Sequence, residues 1–164
     1  MTPQSGTEIT TPSNLEIRFR RWFAAPRQLV ADAFTTPDLL QRWMGVVEDW
    51  AWASCDIDLR AGGAYRWVWR NAVDGSEMAI SGTYLEVVPG ERYVATQRYE
   101  NMPEYPGEMT TTLLFTEAGG ETLLEETVRY ASQAERDRDL QHGPSGLEPG
   151  FQTLDALLAA EARR

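Results

Sequence analysis

The spacing of apolar residues along the chain changes more than once, and each change predicts a different element. The segment "NLEIRFRRWF" (14–23) alternates, with Leu15, Ile17 and Phe19 on one parity, which is typical of a strand. In "APRQLVADAFTT" (25–36) the apolar residues fall at helical spacing instead. The following "TPDLL" carries a cap residue, a proline and an acid, which are signals of a new helix. The pattern therefore predicts a strand followed by two short helices.

Between residues 46 and 130 the pattern returns to a period of two. Six strands are predicted there, and glycine-containing turns separate them. Their approximate ranges are 48–59, 63–71, 77–88, 91–100, 108–116 and 121–130. Because the connectors are short, successive strands are expected to pair as an antiparallel meander. A last amphipathic stretch, 147–162, predicts a long helix with its large apolar residues on one side.

These elements predict an α+β domain in which one helix cannot cover the whole sheet. Neighbouring strands lie about 4.8 Å apart, whereas a helix with its side chains is about 10 Å across. We therefore expect a curved antiparallel sheet of about seven strands wrapped around the C-terminal helix, with the two short helices between strands 1 and 2. Space that the helix leaves unfilled would form a cavity. Residues 1–13, rich in Thr, Ser, Pro and Gly, are predicted to be a flexible arm before a single domain at 14–164.

Composition narrows the possible function. Fifteen basic and 25 acidic residues give a formal net charge of −10, which disfavours nucleic acid and anionic membranes as partners. The absence of a long apolar run and of a signal peptide predicts a cytoplasmic protein. One cysteine, Cys55, and one histidine, His142, are too few for a zinc site or a disulfide within the chain. No phosphate-binding glycine loop opens a helix, so neither a metal nor another cofactor is expected.

An ordered set of motifs resembles the START-like (SRPBCC, helix-grip) superfamily. Within it, the chain is similar to the family named after the C-terminal domain of the activator of the heat-shock-protein-90 ATPase. The matching stretches are "RRWFAAPRQLVADAFTTPDLLQRWM" (20–44), "CDIDLRAGGAYRWVWR" (55–70), "DGSEMAISGTYLEVVPGERYV" (74–94), "YPGEMTTTLLFTEAGGETLLEETVRYASQAERD" (105–137) and "GLEPGFQTLDALL" (146–158). The resemblance implies the helix-grip fold, in which one sheet face looks at the C-terminal helix and the other at water.

Two departures from the family pattern lie at the head of the last helix. Leu147 and Phe151 stand where the family has methionines, and a few extra residues within 141–145 lengthen the preceding loop. Both changes fall where the helix would meet the mouth of the cavity. The resemblance therefore does not identify the ligand of this chain. Chaperone activation does not carry over either, because most bacterial relatives look like stand-alone domains without the N-terminal region of the eukaryotic activators.

The stretch "AYRWVWRN" (64–71) carries three large aromatic residues on one parity. Arg66 and Arg70, on the other parity, would be costly to bury unpaired, so they are expected to face water. Tyr65, Trp67 and Trp69 then face the helix. These rings fit either a plain core or the wall of a pocket, and we favour the pocket because groups this large need a void or a partner on a curved sheet.

The family register assigns inward residues on the other strands in the same way. They are mostly apolar, with a few hydroxyls and one amide, which suits a mainly hydrophobic small molecule with one or two polar groups. The predicted ligand-binding residues are Trp43, Tyr65, Trp67, Trp69, Tyr93, Gln97, Tyr99, Met109, Thr111, Leu113, Phe151, Leu154 and Leu158. Trp43, with Trp50 and Trp52, is assigned to the cavity opening, although core packing or a partner surface fits each of them equally well.

Two adjacent acids, Glu125 and Glu126, must point to opposite faces of an unbroken strand. The family register favours Glu126 inward, where desolvation would raise its pKa and make it the candidate catalytic acid or base. The alternatives are a salt bridge to an inward arginine, a bulge that turns both acids outward, or snorkelling at the strand end. The acidic stretch 134–140 is interpreted as a solvated face, with an ion pair between Arg136 and Asp137.

Three functions remain open at this point. The leading one is a small-molecule-binding domain that encloses a hydrophobic or aromatic metabolite between sheet and helix. The second is a cofactor-independent enzyme of the cyclase or dehydratase type acting on a polyketide-like or aromatic substrate, with Glu126, Tyr65, Tyr99 and Gln97 as its polar groups. The third is an interaction module that contacts a chaperone or forms a homodimer through exposed tryptophans.

Overall fold

The computed structural model describes residues 6–45, 47–142 and 147–164, without the side chain of His142. The strands are β1 (Glu8–Thr10), β2 (Glu16–Phe23), β3 (Trp50–Ile57), β4 (Ala64–Asn71), β5 (Glu77–Val88), β6 (Arg92–Glu100), β7 (Met109–Ala118) and β8 (Glu121–Arg129). The helices are α1 (Arg27–Thr35), α2 (Pro37–Leu40), α3 (Gln133–His142) and α4 (Leu147–Ala162). Residues 1–5 of the predicted arm and 143–145 of the predicted loop extension lie outside the described residues.

The described strands form one antiparallel sheet in the order β1-β2-β8-β7-β6-β5-β4-β3. The α+β class, the meander from β3 to β8, the two short helices after the first long strand and the long C-terminal helix are confirmed. The sheet has eight strands instead of about seven. The additional strand, β1, lies within the segment 1–13 and extends the edge of β2, with Ile9 opposite Phe19. Its three residues are all exposed, so no apolar alternation marks it in the sequence.

β2 joins the meander by pairing with the last strand, β8. Burial alternates strictly along β2, with Ile17, Phe19 and Phe23 buried, because alternate side chains point to opposite faces. We call the face that carries these buried residues the helical face of the sheet. Phe19 lies opposite Glu126 on β8, and Glu126 lies opposite Leu113 on β7. The register therefore puts these three residues side by side on the helical face.

α4 packs through its apolar side against β2 and the helical pair. Its buried residues join those of α1, α2 and neighbouring strands in the largest apolar cluster of the described residues. The Phe151 ring is central, with its centre 5.5 Å from that of Phe23 and 6.0 Å from that of Trp43. Phe34 of α1 completes the contact, 4.9 Å from Trp43. These ring contacts fix α4 over one part of the sheet.

A buried arginine on the helical face also links β2 to α4. Arg21 is 5% exposed, and its guanidinium contacts Glu148 at 2.9 Å and Asp155 at 2.8 Å. Burial by itself lowers the pKa of Arg21, but hydrogen bonds to Asp155 and Glu148 outweigh it and raise that pKa. The guanidinium also lies 4.8 Å from the centre of the Phe23 ring. Arg21 is therefore charged and fully paired.

The helix α3 occupies the stretch that the sequence pattern assigns to a solvated face, and that interpretation was wrong in part. Glu135 and Arg136 are buried. Glu135 accepts a hydrogen bond from the backbone N–H of Gly107 at 3.0 Å. Arg136 makes the predicted ion pair with Asp137 at 2.8 Å and donates to the backbone carbonyl of Ser13. α3 is thus tied to the domain by charged groups, which a search for apolar periodicity does not detect.

Candidate functional site

The three aromatic residues of β4 lie on the helical face of the sheet. The ring centres of Tyr65 and Trp67 are 4.9 Å apart, and those of Trp67 and Trp69 are 6.5 Å apart. The alternate residues lie on the outer face, where Arg66 pairs with Glu100 and Arg70 pairs with Glu77, all with partly exposed side chains. The outer arginines therefore have carboxylate partners, and the rings form a row inside.

Tyr65 and Trp69, at the two ends of this row, are closely packed, with exposures of 4% and 3%. The Tyr65 ring crosses Gly82 of β5, where an added Cβ would lie 2.7 Å from the phenol oxygen. Its hydroxyl donates a hydrogen bond to the backbone carbonyl of Thr96 at 2.7 Å. The centre of the Trp69 ring lies 4.4 Å from that of Trp52. Both side chains therefore have dense packing partners within the protein.

The indole nitrogens of this row are unusual. Nε1 of Trp67 and Nε1 of Trp69 are buried, and neither has a hydrogen-bond partner among the described residues. By contrast, Nε1 of Trp43 donates to the carbonyl of Ala33 at 2.8 Å. Buried indole N–H groups normally find an acceptor. The two indole N–H groups of β4 are therefore unsatisfied donors within the described structure.

Six of the other predicted site residues are fully packed in the interior. They are Trp43, Tyr93, Met109, Phe151, Leu154 and Leu158. Trp43 lies in the main apolar cluster and not at an opening. The hydroxyl of Tyr93 accepts a hydrogen bond from the backbone N–H of Gly90 at 2.8 Å. In the described structure these side chains make contacts typical of core packing.

The remaining predicted residues face the helical side but keep part of their accessible surface. They are Trp67, Gln97, Tyr99, Thr111, Leu113 and Glu126, and all are half-buried. The cross-strand register makes several of them neighbours: Leu113 lies opposite Glu126. Thr111 donates a hydrogen bond from its hydroxyl to the side-chain carbonyl of Gln97 at 3.2 Å. These residues form a patch that mixes aromatic, aliphatic and polar groups; we call it the inner patch.

Glu126 is the acidic member of the inner patch, and Glu125 points to the outer face, where it binds Arg20 at 3.1 Å. The strand is therefore unbroken at this point, and the bulge that would turn both acids outward is absent from the β2–β8 register. The arginine that faces inward, Arg21, is bound to α4 instead. Among the described residues, no side chain donates a hydrogen bond to Glu126. Its carboxyl lies deep inside, and burial, followed by repulsion from Asp139, raises its pKa to about 7.

Asp139 on α3 is a second carboxylate that the sequence analysis did not connect with this site. The Tyr130 hydroxyl donates a hydrogen bond to the Asp139 carboxylate. Burial raises the pKa of Tyr99, and the nearby charges of Asp139 and Glu126 add to that shift. Burial is also the first cause of the raised pKa of Tyr65, with a smaller contribution from Glu126. The surroundings of Glu126 are thus acidic, with the phenols of Tyr65, Tyr99 and Tyr130 near Glu126 and Asp139.

Asp139 lies in the charged stretch "AERDRDL", which gives no sign that the residue is near the site. A usable signal was Leu140, which packs against the apolar cluster around Tyr130.

Within the described part of the chain, no group of three acidic, cysteine or histidine side chains is arranged to hold a metal ion. None of the described helices has both the length and the apolar character needed to cross a membrane.

Comparisons with known proteins identify relatives along most of the chain. The sequence model of the family described as activator of Hsp90 ATPase homolog 1-like protein matches residues 24–160. A crystal structure from Rhodobacter sphaeroides is 28% identical, covers 94% of this chain and 99% of its own, and superposes with a TM-score of 0.85. A crystal structure from Chromobacterium violaceum is 29% identical, with coverages of 89% and 98% and a TM-score of 0.73.

A third structure, from Nitrosomonas europaea, shares the fold at 24% identity, with coverages of 93% and 99% and a TM-score of 0.77. Among curated proteins, none matches this chain. The comparisons therefore support the family and the fold, and leave the function to the residues of the site.

Proposed function

The chain belongs to the activator of Hsp90 ATPase homolog 1-like family, and we propose that it is a small-molecule-binding domain that encloses a hydrophobic or aromatic metabolite. In this proposal the ligand lies in a cavity between the helical face of the sheet and α4. The proposal rests on the side chains of this chain alone.

The observation that carries the proposal is the surface that the inner patch keeps in the interior of the domain. The buried apolar residues around it form one large and two smaller clusters, and partly buried side chains such as Trp67 and Leu147 pack against two of them. The carboxyl of Glu126 lies deep in the protein. The residue nevertheless keeps part of its accessible surface. A space lined by the inner patch would account for this retained surface.

The lining of this space favours a mainly apolar ligand. Trp67, Tyr99 and Leu113 supply aromatic and aliphatic surface, which provides most of the free energy of binding through burial. Gln97 and Thr111 supply a few polar atoms that can orient a ligand. Pockets for small molecules typically combine groups in this proportion.

A matched pair of tryptophan substitutions tests where the ligand lies. Leu113→Trp adds volume on the helical face, and Leu114→Trp adds the same volume to the outer face of the same strand. We expect N-phenylnaphthylamine, a neutral fluorescent probe, to bind the wild-type protein with enhanced emission. We expect Leu113→Trp to weaken that binding by about tenfold or more, because the indole would fill the proposed space. Leu114→Trp should bind the probe as the wild type does.

Circular dichroism and thermal unfolding show whether both variants keep the fold. If Leu113→Trp is folded and binds the probe as tightly as the wild type, the proposed location is wrong. If the wild-type protein itself binds neither this probe nor other apolar molecules, the binding function is wrong.

Glu126 supports a second candidate function, a cofactor-independent enzyme of the cyclase or dehydratase type. A carboxyl group whose pKa is raised to about 7 can both accept and donate a proton near neutral pH. Its half-buried position would leave it accessible to a bound substrate. In this case Glu126→Gln should abolish product formation from a polyketide-like substrate while leaving probe binding intact. A reaction whose rate is unchanged in Glu126→Gln would exclude the acid–base role.

A further inference from the structure

We infer that the ligand of the inner patch is a cationic amine on an apolar body, held by the Glu126 carboxylate, and that acids and phosphates are excluded. This inference rests on the proposed binding function and adds the chemical class of the ligand. It comes from an inventory of the charges that face the interior.

No arginine on the helical face of the described strands is free to bind an anionic ligand. Apart from His142, the chain has 15 basic residues. All 15 are arginines, and all lie in the described ranges. On the strands, the alternation places Arg21 alone on the helical face. Glu148 and Asp155 already bind its guanidinium. A carboxylate or phosphate buried at the inner patch would therefore lose its hydration without a countercharge, which is strongly unfavourable.

The same region offers two carboxyl groups to a cation. Glu126 has no hydrogen-bond donor among the described residues, and it faces Asp139 of α3 closely enough for mutual repulsion. Asp139 is hydrogen-bonded to the Tyr130 hydroxyl. A protonated amine between them would donate hydrogen bonds to Glu126 and relieve that repulsion, since charge-assisted hydrogen bonds are the stronger ones.

The aromatic wall supports the same class of ligand. Trp67 and Tyr99 of the inner patch are both half-buried, and burial, with a contribution from the charge of Glu126, raises the pKa of Tyr99. Faces of indole and phenol rings attract cations, and more strongly in a desolvated site. The inner patch therefore joins the two elements that bind organic amines, a carboxylate and aromatic faces.

Three probes that differ only in their head group test this inference. They are octylamine, octanol and octanoate, each measured by displacement of N-phenylnaphthylamine. We expect octylamine to bind roughly tenfold more tightly than octanol, as one charge-assisted hydrogen bond provides, and octanoate to bind most weakly. Glu126→Gln should remove the preference for octylamine over octanol. Glu125→Gln, which alters the neighbouring outward acid, should keep the wild-type preference.

A second measurement needs no substitution. Around the Glu126 carboxyl stand Asp139 from α3, Tyr99 from β6, Tyr65 from β4 and Tyr130 after β8. Glu126 changes charge near neutral pH, and octylamine stays protonated. The preference for the amine should therefore shrink from about pH 8 to about pH 5.5 as Glu126 takes up a proton.

The outcomes separate this inference from the function on which it rests. If octanol or octanoate binds as tightly as octylamine, or if Glu126→Gln keeps the preference for the amine, the inference is overturned and the binding function stands. If the wild-type protein binds neither the fluorescent probe nor any octyl compound, both are overturned.

Discussion

Replacing Glu126 by glutamine should make the protein more stable, and by an amount that depends on pH. Glu126 lies on the helical face beside Leu113 and Phe19, and it lacks a hydrogen-bond donor among the described residues. Burial and the charge of Asp139 raise its pKa from 4.5 to about 7. Ionised Glu126 therefore opposes folding. Glutamine has nearly the same shape and carries no charge.

The sign and the size follow from the two pKa values. The folded protein holds this proton more tightly than the unfolded chain, so stability falls as pH rises from about 4.5 to about 7 and is then level. The difference in pKa corresponds to a penalty of about 3 kcal/mol at pH 8 and about 1 kcal/mol at pH 5.5. Glu126→Gln lacks this penalty. Its advantage over the wild type should therefore grow by about 2 kcal/mol between these pH values.

Urea unfolding at both pH values measures this difference directly, and comparison with the wild type cancels the titration of other groups. Glu125→Gln serves as the control, because it removes a partly exposed ion pair with Arg20. We expect the control to lose less than about 1 kcal/mol and to show no gain at pH 8. If Glu126→Gln changes the free energy of unfolding equally at both pH values, the ionised carboxyl is not desolvated and the reasoning is refuted.

Two further predictions concern buried contacts of the sheet, and urea unfolding measures both. Arg21→Ala should destabilise the protein by about 3 kcal/mol, because it strands two carboxylates of α4 beside a buried site; Arg20→Ala on the outer face should cost less than about 1 kcal/mol, and equal losses would contradict the role of burial. Gly82→Ala should cost about 2 kcal/mol or more, because its Cβ would lie 1.9 Å from the carbonyl oxygen of Thr96 and 2.7 Å from the Tyr65 ring. A Gly82→Ala variant as stable as the wild type would show that β5 and β6 can move apart at Gly82 without a loss of stability.

Most of the fold could be predicted from periodicity because the burial pattern of the strands follows their alternation. In β2 every second residue is buried, and each of the six later strands overlaps its predicted range. β1 and α3 were missed for a common reason. All three residues of β1 are exposed, and Glu135 and Arg136 hold α3 through polar contacts. Neither element therefore shows a periodic pattern of apolar residues in the sequence.

The faces of the site residues followed from alternation, but their degree of packing did not. Trp43, Tyr93 and Trp67 are all aromatic residues that the sequence assigns to the binding site. Trp43 and Tyr93 are buried in the main cluster, whereas Trp67 is half-buried. This difference depends on where α4 lies across the sheet. Phe151 places α4 against Phe23 of β2, a contact between distant parts of the chain that no local pattern encodes.

Two charged side chains on the helical face, Arg21 and Glu126, differ in whether a partner neutralises them, and that contrast is the strongest argument for a binding site. Arg21 is neutralised by Glu148 and Asp155, so its burial is compensated within the chain. Glu126 has no cation near it among the described residues and faces a second carboxylate, Asp139. An uncompensated buried charge costs stability, and substitution to glutamine would remove that cost. A chain that keeps the carboxylate while pairing its inward arginine is arranged as a host for a positive charge that arrives with a ligand.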